Sequence, residues 1–164
     1  MKSGVGTYSI TLDSGVTVGA IVAVNAVGSV VDPQTGSVVA GIRSADGKEL
    51  LNPKEILQQL GTSSINFGEN TTIGVVATNA ALDPVQITQV ARMAQSGLAR
   101  SIVPAHTPLD GDTLFSVATG ELDSGDVTEI GSLAAEVISQ AIIRAVTSSE
   151  GIPDYPGVDD LSKR

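Results

Sequence analysis

Val16-Thr17-Val18-Gly19-Ala20-Ile21-Val22-Ala23-Val24-Asn25-Ala26-Val27 is a nearly continuous apolar run, dense in β-branched residues. Such a run is expected of a strand covered on both faces. Its uncharged surroundings reach from Ser14 to Val31, close to the ~18–20 residues a membrane helix needs. Gly19 and Gly28 interrupt it, however, and Asp13 and Asp32 bracket it without basic flanks. A pair of buried strands is therefore expected in place of a membrane span. Thr71–Asn79 (TTIGVVATN) reads as a second strand of the same buried type.

Working outward, Thr7–Leu12 alternates as a strand does. Asp32-Pro33-Gln34-Thr35-Gly36 is turn chemistry between Val30-Val31 and Ser37–Ile42, which predicts a hairpin. A short helix is expected at Pro53–Leu60, with Asn52 as N-cap, followed by a polar loop over Gly61–Asn70. Asp83-Pro84-Val85-Gln86 carries a capping-box pattern and predicts a helix over Pro84–Ala99. A strand over Asp112–Thr119 and a helix over about Val127–Ser148 complete the order, the helix showing apolar residues at three-and-four spacing from Ile130 to Ala145. Residues 1–150 are expected to form the domain, and 151–164 a flexible acidic tail. The pattern suggests stacked sheets with both helices on one outer layer; other α/β layouts fit almost as well.

With 164 residues the chain is one domain by length. A net charge of -9 argues against a phosphate-backbone binder, and two Phe with two Tyr leave little for base-stacking platforms. No nucleic acid and no membrane partner are expected. Cysteine is absent, which removes disulfides, thiolate zinc sites and a cysteine nucleophile, and one histidine cannot build a multi-histidine metal site. No apolar signal core follows Met1-Lys2, so a cytoplasmic location is the default expectation.

Any nucleophile must then be Ser or Thr, or carboxylates must act alone. His106 lies in a proline-flanked loop (Val103–Pro108) and is expected to be merely exposed. Asp110-Gly111-Asp112 could be half of a magnesium site, but also a turn before a strand, with Gly111 supplying φ freedom. No P-loop is present, and Gly4-Val5-Gly6 leads into a strand, the wrong context for a dinucleotide fingerprint. Read alone, Thr71 and Thr72 are strand residues. If the Asn70–Thr71 bond were cut, however, Thr71 would gain an α-amine beside its own hydroxyl. Such an amine has a pKa of about 7.7–8.0 and can act as a general base near neutral pH.

Asn70–Ala80 (NTTIGVVATNA), Pro104–Thr119 (PAHTPLDGDTLFSVAT) and Val18–Gly28 (VGAIVAVNAVG) together resemble segments of the L-aminopeptidase/D-amidase and β-peptidyl aminopeptidase family, which is similar in fold to ornithine acetyltransferase. The resemblance implies a four-layer α/β/β/α sandwich, incomplete in this chain. It also implies self-cleavage at Asn70–Thr71, which turns Thr71 into the N-terminal nucleophile of a second chain. By the same resemblance Asn25 lends its side-chain amide to the oxyanion hole. The family's Ser-x-Glu pair, which supports the nucleophile, falls on Asp110 and Asp112, so a carboxylate replaces a hydroxyl. Lys2–Gly6 matches a segment that lies mid-chain in family members; a glycine-rich segment and an oxyanion-hole tyrosine of the first half have no counterpart here. Either the chain is a fragment or truncated product, or a separate chain supplies that half.

The function the resemblance implies is an aminopeptidase or amidase of the Ntn (N-terminal nucleophile) type, acting on small peptides or amides. It needs no cofactor and no metal, and it is expected to work as a homo-oligomer with the missing N-terminal half as partner. An acyltransferase on the same fold, or a truncated relic serving as an assembly subunit, are the competing readings.

Overall fold

The computed structural model describes residues 2–44, 49–52, 70–108, 110–123, 125–153 and 155–160. The expected helix at Pro53–Leu60 and nearly all of the loop after it lie outside the described residues. The chain opens with β1 (Val5–Thr11) and β2 (Thr17–Ala23), an antiparallel pair closed by a turn in which Gly15 takes a φ of 85°. The short strands β3 (Ser29–Val31) and β4 (Val38–Ala40) form the expected hairpin, its turn closed by Gly36 at a φ of 73° and by Asp32 N–H on the Ser37 carbonyl at 2.9 Å. Next come β5 (Ile73–Ala80), α1 (Pro84–Ser101), β6 (Ile102–Val103), β7 (Thr113–Leu122) and α2 (Val127–Thr147).

The helix starts follow from local chemistry. The Asp83 carboxylate accepts from Val85 N–H and Gln86 N–H, both at 2.8 Å, and Gln86 reaches back to Asp83 N–H at 2.9 Å. Asp126 accepts from Glu129 N–H at 2.9 Å and opens α2 in the same way. These caps satisfy donors that a helix start otherwise leaves without partners.

Two sheets result. The main one has four strands in the order β1-β2-β5-β7, antiparallel except for β5 and β7, and a small one has the order β4-β3-β6. The parallel β5–β7 pair needs a crossover, which α1 supplies. Both helices pack against each other and against one face of the main sheet. The core lies there: Val18, Val22 and Val76 of the strands meet Val90, Leu98, Ile138 and Ile142 of the helices, all fully buried. The helices touch closely because Gly97 faces the Ala135 carbonyl, where a β-carbon would collide. Although α2 is long and apolar enough to cross a membrane by length and composition alone, most of it is buried here as the core helix.

The opposite face of the main sheet departs from expectation. The strands Val16–Val27 and Thr71–Asn79 were expected to be covered on both sides; instead they alternate. Val18, Ala20, Val22, Gly74, Val76 and Ala80 are buried, while Ala23 and Ala77 are exposed and Val5, Ile21, Ile73, Phe115 and Val117 are 49–60% exposed. The register aligns Thr7, Ile21, Val75 and Phe115 in one row across all four strands. The reason is that both helices sit on one side, and no described element packs on the other. Near the end of the chain, Ile152 and Tyr155 exchange backbone hydrogen bonds, and Val158 packs on the core.

Candidate active site

Asn70, Thr71 and Thr72 lead into β5, and Asp110, Gly111 and Asp112 lead into the parallel β7. The ladder between the strands continues backwards into both approaches. Thr113 N–H donates to the Thr72 carbonyl at 3.0 Å, and Gly111 N–H donates to the Asn70 carbonyl at 3.2 Å. On the other side the chain leaving β2 closes in: Thr71 N–H donates to the Asn25 carbonyl at 2.8 Å. Thr71 is thus held between the Asn25 segment and the Asp110–Asp112 segment by backbone bonds alone.

The side chains add to this frame. The Thr71 hydroxyl donates to the carbonyl oxygen of Asn70 at 2.7 Å. That oxygen therefore takes two donors, the hydroxyl of the residue after it and the Gly111 amide. Asp112 Oδ1 accepts from Thr72 N–H at 2.8 Å. Asp110 Oδ2 accepts from the Thr107 hydroxyl at 2.7 Å, and Asp110 N–H donates to the Thr107 carbonyl at 3.0 Å. Asp110 Oδ1, Asp112 Oδ2 and Thr72 Oγ1 are buried without a hydrogen-bond partner among the described residues. Two buried carboxylate oxygens beside a threonine are costly to leave unmet, which makes this cluster a candidate site.

The structure thus brings together Asn25, Asn70, Thr71, Asp110 and Asp112, all singled out from the sequence. Asp112 reaches the start of β5 through the Thr72 amide; Asp110 is tied to Thr107. His106 is exposed in its loop, with a φ of 55°. Among the described residues no group of three His, Asp or Glu is gathered that could hold a metal ion. A cavity of about 520 Å³ near the end of α2, lined by residues such as Thr147, Glu150 and Asp160, shares no residue with the cluster.

Gly111 is not among the glycines with positive φ, so the φ freedom that a turn before the strand would draw on is not used there. What position 111 requires is space: a β-carbon there would stand 2.6 Å from Thr71 Oγ1 and 3.4 Å from its Cγ2. The only signal in the sequence is a glycine between two aspartates just before a strand.

The fold is that of the Ntn-type aminopeptidases. It matches a Burkholderia sp. beta-aminopeptidase with a TM-score of 0.58 and 25% identity, covering 90% of this chain and 42% of that one. It also matches the L-aminopeptidase D-Ala-esterase/amidase of Ochrobactrum anthropi, described as a variant of the Ntn hydrolase fold, with a TM-score of 0.56 and 21% identity over 92% of this chain and 42% of that one. The chain belongs to peptidase family S58, whose pattern it matches over residues 1–158. An uncharacterised aminopeptidase of Mycobacterium leprae is 43% identical over 96% of this chain and 49% of its own length. The chain thus spans about half the length of the curated relatives it matches.

Proposed function

We propose that this chain is the nucleophile-bearing half of an aminopeptidase or amidase, with Thr71 as the nucleophile after self-cleavage between Asn70 and Thr71. The observation that carries the reading is the Thr71 hydroxyl on the carbonyl of the bond before it, at 2.7 Å, inside a frame fixed from both sides. Membership of a peptidase family supports the same chemistry.

In this reading the freed Thr71 α-amine, with a pKa of about 7.7–8.0, takes the proton of its own hydroxyl. The oxygen attacks the carbonyl of a peptide or amide substrate, the amine leaves, and water hydrolyses the resulting ester. Asn25 supplies an oxyanion donor, worth about 2.7–4 kcal/mol in comparable sites. Asp112 fixes the start of β5 through Thr72, and Asp110 and Asp112 offer acceptor oxygens for the new ammonium or the hydroxyl.

The partner is the complementary half that relatives carry, seated on the bare sheet face around Ile21, Ile73, Phe115 and Val117. An apolar face of this kind marks an interaction surface, and about half the length of the relatives lies outside this chain. Covering it would complete the second pair of layers. The test is release of the N-terminal residue from small peptide amides by the chain with its complementary half. Turnover that disappears in Thr71→Ala supports the proposal; equal turnover in both contradicts it.

A further inference from the structure

The Asn70 carbonyl differs from its neighbour on the same ladder. The Thr72 carbonyl accepts one amide, from Thr113, whereas the Asn70 carbonyl accepts both the Gly111 amide and the hydroxyl of the residue that follows it. An amide already aimed at a carbonyl oxygen is a preorganised donor for the negative charge that oxygen gains when its carbon is attacked. We propose that the Gly111 backbone N–H is the oxyanion donor for cleavage of the Asn70–Thr71 bond, and that position 111 must lack a side chain for the Thr71 hydroxyl to reach that carbonyl. The inference rests on the reading of Thr71 as a self-cleaving nucleophile and names the group that stabilises its first step.

The step balances as an isomerisation. Thr71 Oγ bonds to the Asn70 carbonyl carbon, and the charge gathers on the carbonyl oxygen opposite Gly111 N–H. The bond from that carbon to the Thr71 nitrogen then breaks. The hydroxyl proton ends on that nitrogen through solvent, leaving an ester and a free amine. Water next splits the ester into the Asn70 carboxyl group and the restored Thr71 hydroxyl. The ladder holds Gly111 N–H in place at 3.2 Å before the reaction starts, so this donor needs no rearrangement. The second part of the proposal follows from space: any β-carbon at position 111 falls 2.6 Å from the attacking oxygen.

The test replaces single amides by esters. Glycolic acid at position 111 removes the N–H donated to Asn70 and keeps the shape. The α-hydroxy analogue of threonine at position 113 removes the next rung, to Thr72, as a structural control. Parent, both ester chains, Gly111→Ala and Thr71→Ala are produced with the complementary half. Cleavage is followed by intact mass well below the melting temperature, with circular dichroism as the check on folding. The ester at 111 should slow cleavage by about 10²–10³-fold, and the ester at 113 should leave it within a factor of about three. Gly111→Ala should cleave at least as slowly as the ester at 111. Equal slowing by both esters, or no slowing at 111, overturns the role of Gly111 even if Gly111→Ala does not fold. A parent that is never cut between Asn70 and Thr71, or that is cut as fast after Thr71→Ala, overturns the underlying reading instead.

Discussion

Replacing Asp112 separates what its carboxylate holds from what it does. Thr72 is fully buried, and its N–H has Asp112 Oδ1 at 2.8 Å as acceptor. Asp112→Ala leaves that N–H buried without an acceptor, a loss of about 1–3 kcal/mol. For a chain of this size each kcal/mol is worth about 2–4 °C in Tm, so the melting temperature should fall by about 2–12 °C. Asp112→Asn keeps an oxygen for Thr72 and exchanges Oδ2, which has no partner among the described residues, for an amide. Its Tm should therefore stay closer to the parent's. If the negative charge also supports Thr71, Asp112→Asn should still lose self-cleavage. Thermal unfolding by circular dichroism, paired with intact mass, reads both effects on the same samples. A Tm for Asp112→Ala equal to the parent's would refute the structural half of the argument. Parent-like cleavage in Asp112→Asn would refute the chemical half.

Thr72→Val should be neutral or slightly stabilising in thermal melts, because it removes a buried hydroxyl that has no partner among the described residues and keeps the β-branched shape. Asp83→Ala should cost about 0.5–2 kcal/mol in urea unfolding, since the capping box at the start of α1 loses its acceptor. The pair Phe115→Ser and Val117→Ser should change the stability of the 164-residue chain little, since both side chains are half exposed. The same pair should weaken capture of the complementary half on a column; undiminished capture would show that the bare face is not where that half sits.

Local chemistry made much of this fold legible. Asp83 with Gln86, Gly36 in its turn, and the three-and-four spacing from Ile130 to Ala145 each fix an element through contacts a few residues apart. The strand β6 leaves no mark in the sequence because two residues after a helix carry no period, and its place is set by pairing with Ser29 and Val30 far earlier in the chain. Continuous apolar runs signalled burial on both faces, yet a run records which faces can be covered, not which are covered in this chain. Ile21 and Ile73 lie on the side without helices for that reason. At the site, Asn25, Thr71 and Asp112 could be named from their segments, but the approach of Gly111 to Thr71 depends on the register of β5 against β7. That register is a tertiary property.

The central claim is that Thr71 attacks the bond that precedes it. Its most direct measurement is the N-terminal sequence and intact mass of the chain purified with its complementary half, for the parent, Thr71→Ala and Thr71→Ser. The account predicts a parent divided into two pieces, the second beginning at Thr71, with no division in Thr71→Ala and partial division in Thr71→Ser. A parent that stays whole, or a Thr71→Ala chain divided at the same place, would contradict it.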